Sequence, residues 1–356
     1  MSADLTAYTE AARFQARLCD AFGSPFSGAV LDVIADDVGQ GGPCAGLAAP
    51  WAGLDAARIT ADAGPLRLLG GLHYLVLSGA TPALAALYPS ATDGAERPAL
   101  ARVVPSVVSD HRERLTRFVA SPPQTNEVSR SKALVGGFLT IAAETGLPLR
   151  CLEIGSSAGL NQNWNLYRYA FDGGWEWGDE ASPVLFSSGW TGGTPPLAAE
   201  VVVAERAGCD QNPIDVSDPE QALRLQAYVW PDQAERLANL RAAIAVAGRS
   251  PPSLERADAA VWAGSRAVPA PGVATVLFHS VVWQYLASDV REALRETIAA
   301  GARAAAKDRP FAWLRMEPSL SQPAGMTEVR LTLWPGGEDR LLALAHPHGA
   351  IVAWRG

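Results

Sequence analysis

The segment from Leu149 to Asn161 constrains the fold of this chain more than any other part of the sequence. It reads LRCLEIGSSAGLN: a short apolar run, an acidic residue, a turn of small residues and the start of a helix. Small residues let backbone N–H groups approach a ligand closely, and the helix that follows directs its positive end into the same space. The segment therefore predicts a strand–turn–helix unit whose turn suits a nucleotide-like cofactor.

Patterns of strands and helices alternate after this segment. The predicted strands and helices are Val201–Ala204, Gln233–Ala247, Val273–Phe278, Val290–Ala306 and Phe311–Met316. Such alternation predicts a mostly parallel sheet with helices on both faces. Several closing strands between Val329 and Trp354 predict an antiparallel edge, and Asp172-Gly173-Gly174 has the composition of a hairpin turn.

The part of the chain before the prolines Pro122 and Pro123 has a different spacing of apolar residues. Its apolar residues follow helical spacing, and no convincing strand pattern occurs before Leu149. Prolines break helices and stiffen linkers, which places a boundary here. We expect a helical N-terminal region over residues 1–121, acting as a lid or flanking domain, and an α/β domain over residues 122–356.

Composition and charge limit the classes of partner. Hydrophobic residues make up 48% of the chain and the net charge is −8, which fits a globular protein without a broad nucleic-acid-binding surface. No long apolar stretch is free of charges and helix breakers, so we expect no membrane span and no secretory signal. The 4 cysteines have no C-x-x-C spacing. We therefore expect reduced thiols and no metal site in a cytoplasmic protein. We also expect its substrate to be a small molecule.

The turn Gly155–Gly159 also fits the pattern G-x-S-x-G of a serine hydrolase, with Ser157 as the nucleophile. Acids and histidines that follow in the required order are Asp210, Asp215, Asp258, His279, His346 and His348. The elbow of an α/β-hydrolase normally follows several strands, whereas the preceding region here is predicted to be helical. The hydrolase stays an alternative interpretation.

The spacing Glu153-x-Gly155-x-Ser157-x-Gly159 resembles the first motif of class I S-adenosylmethionine (SAM)-dependent methyltransferases. The chain departs from that motif at Ser157, where the family usually has its middle glycine. The resemblance implies a Rossmann-like, methyltransferase-type sheet that is mostly parallel with an antiparallel hairpin at its end. It also implies SAM as the cofactor and methyl transfer to a small or medium-sized acceptor. A non-catalytic protein that binds SAM or another nucleotide is a further alternative.

Four segments together resemble the DUF2332 family of bacterial proteins. They are Gln124–Glu127, Glu153–Asn161, Gly208–Asp215 and Phe278–Tyr285. This resemblance implies a shared fold and shared sites, and it names no substrate.

The methyltransferase resemblance implies a cofactor pocket built on seven residues. They are Glu153, Gly155, Ser156, Ser157, Gly159, Asp210 and Asp258. The backbone of the turn would face the amino-acid part of SAM, and Glu153 would orient the turn or meet the ammonium group. Asp210 would accept the ribose hydroxyls, although Glu205 lies closer to the end of the predicted strand. Asp258 would meet the adenine amino group, or it would cap a helix.

Residues on the acceptor side are expected beyond the third strong strand, because ligands of open α/β sheets bind outside the carboxyl ends of strands. His279 would take a proton from the acceptor, or it would be a histidine hydrogen-bonded within a packed strand end. The predicted acceptor-binding residues are Glu127, Arg130, Asn161, Ser280, Trp283 and Tyr285. Trp283 and Tyr285 have an alternative interpretation as core aromatics.

Overall fold

A computed structural model of the protein describes residues 4–92, 96–171, 174–319 and 325–356. The chain forms two compact units. The first contains the described residues up to Thr125 together with Asp218–Ala238, and the second contains Asn126–Ser217 and Asn239–Gly356. The units therefore differ from a single division of the chain at residue 121, because a later segment returns to the first unit.

The described residues form 13 α-helices and three short 3-10 helices. The α-helices are α1 (Thr6–Ala21), α2 (Pro25–Gly39), α3 (Pro43–Ala48), α4 (Ala56–Ala61), α5 (Gly64–Leu77), α6 (Pro82–Ala85), α7 (Arg97–Asp110), α8 (Arg112–Val119), α9 (Arg130–Thr145), α10 (Pro219–Ala227), α11 (Ala234–Arg249), α12 (Ala259–Arg266) and α13 (Ser288–Ala304). The 3-10 helices are Ala49–Trp51, Leu160–Leu166 and Trp283–Tyr285. None of these helices is long and apolar enough to cross a membrane.

All secondary-structure elements that the structure describes in the first unit are helices, as its sequence predicts. Two contacts show why the later segment belongs to it. The Asp232 carboxylate accepts the backbone N–H groups of Phe26 and Ser27 at 3.0 and 3.1 Å, which satisfies donors at the start of α2. Glu220 of α10 accepts the hydroxyl of Tyr74 on α5. Capping and hydrogen bonding thus fix residues 218–238 within the helical unit.

The described residues form 12 strands, all in the second unit. They are β1 (Leu149–Ile154), β2 (Arg168–Phe171), β3 (Trp175–Gly178), β4 (Leu185–Phe186), β5 (Trp190–Gly192), β6 (Val203–Asp210), β7 (Leu254–Arg256), β8 (Ala274–Ser280), β9 (Phe311–Pro318), β10 (Thr327–Trp334), β11 (Asp339–Ala345) and β12 (Val352–Trp354). Strands β2 and β3 pair as the arms of the predicted hairpin, while Asp172 and Gly173 of its turn lie outside the described residues.

The large sheet has nine strands in the order β5-β12-β11-β10-β9-β8-β1-β6-β7. All neighbours from β9 to β7 in this order run parallel, while the pairs β9–β10, β10–β11 and β11–β12 are antiparallel. All seven residues of β8 are buried, as expected of a central parallel strand covered on both faces. The predicted mixed α/β fold with a large, mostly parallel sheet is confirmed.

Helices cover both faces of this sheet. Phe278 packs edge-on against Phe138 of α9, with ring centroids 5.1 Å apart. The preceding residue Leu277 points to the other face, where it shares a buried cluster with Trp262 of α12 and Leu294 of α13. Because side chains alternate along a strand, one apolar run supplies both layers of core.

The predicted second strand, Val201–Ala204, was wrong in its limits, because β6 spans Val203–Asp210. The charges at Glu205 and Arg206 interrupt the apolar pattern on which the prediction rested. In the fold, Glu205 forms an ion pair with Arg150 at 2.7 Å, and Arg206 donates to Asn163 at 2.6 Å. These partners allow the charged residues into the strand, so Asp210 is the last residue of β6.

Candidate ligand-binding site

The candidate site lies at the carboxyl ends of three adjacent parallel strands. Glu153 of β1 is in register with Gly208 of β6 on one side and with Phe278 of β8 on the other. The turn that follows β1 therefore opens between the ends of its two neighbours. Ligands of open α/β sheets bind at this edge.

The backbone of the turn is left-handed at three alternating positions. The φ angles are 66° at Gly155, 53° at Ser157 and 68° at Gly159. Glycine adopts this region without penalty, whereas a residue with a side chain is disfavoured there. The conformation explains the alternating glycines of the motif, and it shows that Ser157 occupies a glycine-like backbone position.

Hydrogen bonds within the protein hold the turn. The N–H of Ser157 donates to Asp210 Oδ2 at 2.9 Å, and the N–H of Ser156 donates to the Cys209 carbonyl at 3.0 Å. The N–H groups of Gly159 and Leu160 donate to the Ser156 carbonyl and to a side-chain oxygen of Asn126. From the sequence we expect the N–H groups of the turn Gly155–Gly159 to face a ligand, but three of them, on Ser156, Ser157 and Gly159, donate to protein atoms instead.

Packing also explains the two glycines. A Cβ atom on Gly155 would lie 2.5 Å from Cγ2 of Val282, and one on Gly159 would lie 2.7 Å from Cβ of Pro252. Both distances are too short for a real contact. The small residues of the turn are therefore required by neighbouring protein atoms as well as by their backbone angles.

Glu153 is a buried acid with an unused acceptor atom. The residue is 3% exposed, and its Oε2 atom has no hydrogen-bond partner in the described part of the chain. Burial and the nearby charge of Asp210 raise the pKa of the Glu153 carboxyl to about 8, against the opposing effects of Ser156 and Arg130. The carboxyl consequently favours its protonated form at neutral pH.

The hydroxyl of Ser157 is a second buried polar group at the same turn. Its Oγ atom also lacks a hydrogen-bond partner among the described residues. A buried polar atom without a protein partner can be hydrogen-bonded by water, an ion or a ligand. Two such atoms lie at this site: Oε2 of Glu153 near the end of β1 and Oγ of Ser157 in the turn that follows.

Asp210 and Asp258 both accept backbone N–H groups. Besides Ser157, Asp210 accepts the N–H of Asn212 through Oδ1 at 2.8 Å. Asp258 Oδ1 accepts the N–H groups of Ala260 and Val261 at 2.9 and 3.1 Å, so Asp258 is the N-cap of α12. Asp210 braces the turn, and Asp258 begins a helix; each carboxylate keeps lone pairs for further donors.

His279 is fully buried and both of its ring nitrogens are engaged. Nδ1 lies 2.6 Å from Glu317 Oε1, and the indole N–H of Trp313 donates to Nε2 at 3.1 Å. Because indole nitrogen only donates, Nε2 must be the acceptor and Nδ1 must carry the hydrogen that binds Glu317. His279 is thus hydrogen-bonded within a packed strand end, and the base role predicted for it requires one of these bonds to break.

Glu317 is the functional candidate that the sequence prediction missed. Its Oε1 atom accepts the backbone N–H of Val282 at 3.0 Å in addition to His279. Burial opposes ionisation of the carboxyl, but the hydrogen bonds from His279 and from backbone N–H groups outweigh it and lower the pKa of Glu317. Its Oε2 atom is buried without a partner in the described chain. An acid directly after the predicted strand Phe311–Met316 is the signal that would have found it.

The start of α9 meets the turn through Asn161. The side-chain amide of Asn161 donates to the Glu127 carbonyl at 3.3 Å, and its oxygen accepts the Ser131 hydroxyl at 2.7 Å. The Glu127 carboxylate accepts the N–H of Ser129 at 3.1 Å. The structure therefore brings these two predicted acceptor-binding residues together in a buried hydrogen-bonding cluster.

Arg130 and Ser280 also come together. Nη1 of Arg130 donates to the Ser280 carbonyl at 3.0 Å, and Nε donates to the Pro347 carbonyl at the same distance. Trp283 stacks on His279 with ring centroids 5.4 Å apart. Tyr285 is 77% exposed, so the interpretation of Tyr285 as a core aromatic is wrong.

The geometry does not assemble a serine hydrolase triad around His279. Ser157 Oγ accepts or donates no hydrogen bond within the described chain, and neither nitrogen of His279 is vacant. In the described residues no group of three or more His, Cys, Asp or Glu side chains could hold a metal ion.

A family model described as "Uncharacterized protein conserved in bacteria (DUF2332)" matches residues 9–354 of the chain. The chain belongs to the DUF2332 family. The match confirms the resemblance carried by the four sequence segments and extends it to nearly the whole chain. No curated protein matches it. Because DUF2332 membership carries no reaction with it, function has to be inferred from the site.

Proposed function

We propose that this DUF2332 protein binds SAM at the turn after β1 and transfers its methyl group to a small or medium-sized acceptor. One observation carries the proposal: a left-handed turn follows the central parallel strand, and the acid before it, Glu153, is buried with an oxygen that has no partner among the described residues. The amino-acid part of SAM carries an ammonium group, and an ionised carboxylate is a strong acceptor for such a donor. The Glu153 carboxyl favours its protonated form in the ligand-free protein, and the ammonium group would stabilise its ionised form on binding.

The strand order supports the location. From β1 the chain proceeds to β6 and β7 on one side, and then returns to β8 and β9 on the other side of β1. This reversal makes the gap between β1 and β8 a topological switch point, where nucleotide-like ligands bind in open α/β sheets. The turn Gly155–Gly159 stands at that gap.

The residues of the turn fit the amino-acid part of the ligand. Glu153 would receive the ammonium group, and the Ser157 hydroxyl would bond the carboxylate of the same moiety. Asp210 would use its remaining lone pairs for the ribose hydroxyls, and Asp258 Oδ2, which the helix cap leaves unused, would meet the adenine amino group. In each case the ligand supplies a partner that the protein atoms lack.

The acceptor side of the proposal centres on Glu317. SAM supplies a methyl group activated by its sulfonium, and the protein mainly aligns donor and acceptor. Where the acceptor must lose a proton, Glu317 Oε2 would take it, because the hydrogen bonds to Oε1 hold this carboxyl ionised. Glu317 would then accept the proton that the sequence analysis assigned to His279.

Calorimetric titration of the full chain with SAM, and with its demethylated product S-adenosylhomocysteine, tests the binding step. We expect both to bind, and we expect Glu153→Gln to weaken binding about 10- to 100-fold, the loss typical of one charge-assisted hydrogen bond. Glu292→Gln is the matched control, because Glu292 is exposed and, among the described residues, pairs only with Arg295. Absence of both heat and thermal shift at millimolar ligand contradicts the proposal.

Transfer is tested separately from binding. Incubation with isotopically labelled SAM and a panel of small amine, hydroxyl and carboxylate acceptors should label at least one of them. Binding without labelling of any acceptor would favour the non-catalytic alternative. Covalent labelling of Ser157 by a phosphonate probe, lost in Ser157→Ala, would favour the hydrolase instead.

A further inference from the structure

The second unit has an apolar groove between α12 and α13. The groove is lined by small and aliphatic side chains: Ala260, Val261, Gly264, Val268, Ala300 and Ala304. Val261 is 74% exposed and Val268 is 57% exposed. Burial of such side chains against another surface would be favourable, because it removes apolar area from water.

Two opposite charges lie in the same groove. Glu296 and Arg303 of α13 both line it and both are exposed. Neither side chain forms an ion pair or hydrogen bond with another described residue, whereas Glu292 and Arg295 on the same helix pair with each other at 3.1 Å. Seven residues separate them, so they face nearly the same direction about 10 Å apart and are too distant to pair with each other.

We propose that this groove is a homodimer interface in which the α13 helices of two copies pack antiparallel across a twofold axis. Glu296 of each copy then faces Arg303 of the other, so the twofold axis brings all four charged side chains into two ion pairs. The midpoint between these positions falls between Ala299 and Ala300. Small side chains there would let the helices approach to about 8 Å.

Charge complementarity favours a second copy over an unrelated partner. The interface of a twofold dimer is self-complementary, and α13 carries the two opposite charges on one face, equally far from the midpoint between Ala299 and Ala300. Val261 and Val268 would lie beside the contact and would exclude water. Exposed ion pairs contribute little free energy, so burial of the apolar groove supplies most of the affinity and the charges set the register.

Sedimentation velocity of the full chain over a range of concentrations tests the interface. We expect a dimer in the wild type. Glu296→Arg and Arg303→Glu each place like charges opposite one another at both contacts, and each should raise the dimer dissociation constant about tenfold or more. The double variant Glu296→Arg/Arg303→Glu restores opposite charges and should recover dimerisation.

Controls separate this effect from net charge and misfolding. Glu200→Arg makes the same charge change at an exposed position outside the groove and should leave the dimer intact, while circular dichroism shows whether each variant is folded. Val261→Asp should weaken the dimer independently of the ion pairs. A monomeric wild type, or single variants that weaken dimerisation without recovery in the double variant, would overturn the proposal.

Discussion

Glu153 is buried and Glu317 is partly buried at the carboxyl end of the same sheet, on β1 and β9, yet their environments favour opposite protonation states. Each has one carboxyl oxygen without a partner in the described chain. Glu317 also receives hydrogens from His279 and from the backbone of Val282, which lower its pKa. The donors around Glu153 do not offset its burial, and its pKa rises to about 8. Donor supply, rather than residue type, decides which carboxyl is charged.

Glu153 and Glu317 therefore have different roles. Glu317 belongs to a hydrogen-bonded group that joins the ends of β8 and β9, while Oε2 of Glu153 has no partner in the described chain and would receive the ammonium group of the proposed ligand. Val282 connects them, because its N–H donates to Glu317 and its side chain packs against Gly155. Substitutions at either glutamate, or at the contact between them, therefore test the difference in protonation state.

The largest effect is expected from the pH dependence of Glu153. Below pH 4.5 the carboxyl is protonated in both the folded and the unfolded chain and contributes nothing. Between pH 4.5 and about 8 the unfolded chain releases the proton and the folded chain retains it, so the free energy of unfolding falls. Above pH 8 the full penalty, on the order of 5 kcal/mol, is present.

Urea unfolding of wild type and Glu153→Gln at pH 5, 7 and 9 measures this penalty. The variant cannot ionise, so it should be increasingly more stable than the wild type as the pH rises. A constant difference across the pH range would show that Glu153 titrates normally. Without ligand, Glu292→Gln should follow the wild type at every pH.

Glu317→Gln should act in the opposite direction. The variant removes the charged acceptor of two buried donors and should lower the free energy of unfolding by about 2–3 kcal/mol at pH 7. Because the folded pKa of Glu317 is lowered, this contribution is complete above pH 4.5 and is lost as the pH falls through the folded pKa. An unchanged stability at pH 7, measured by urea unfolding, would contradict the pairing with His279.

Gly155→Ala tests the contact that joins the two sites. Gly146 provides a matched control, because it has φ 62° against 66° for Gly155, but a Cβ atom added to it would have no atom of the described chain within 4 Å. We expect Gly146→Ala to cost about 1 kcal/mol and Gly155→Ala about 2–3 kcal/mol, since the second variant also collides with Val282. Thermal unfolding of Gly155→Ala/Val282→Ala should show partial recovery; equal costs for the two glycines would exclude the contact.

The smallest effect is expected for Ser157→Gly. Glycine relieves the left-handed backbone, and the lost hydroxyl has no partner in the described chain, so stability should change by less than about 1 kcal/mol. SAM binding should weaken about tenfold or more in this variant, because the proposed hydrogen bond from the Ser157 hydroxyl to the ligand carboxylate is lost. A loss of more than about 2 kcal/mol by urea unfolding would indicate that the hydroxyl holds a structural hydrogen bond.

The sequence predicted the parts of the fold that depend on local patterns. The apolar run before Glu153, the alternation of strands and helices and the antiparallel closing strands all follow from spacing along the chain. The limits of β6 could not be predicted this way, because Glu205 and Arg206 enter the strand only through partners on other elements. The position of Asp210 at the strand end followed from that correction.

The protonation and pairing of the site residues were decided by the tertiary structure alone. His279 and Glu317 are 38 residues apart in the chain, and Ser157 and Asp210 are 53 apart, so no local pattern records that these atoms meet. The sequence alone predicts an acid before a turn of small residues at the end of an apolar strand. Whether that acid is charged depends on burial and on donors from distant segments, which exist only once the chain has folded.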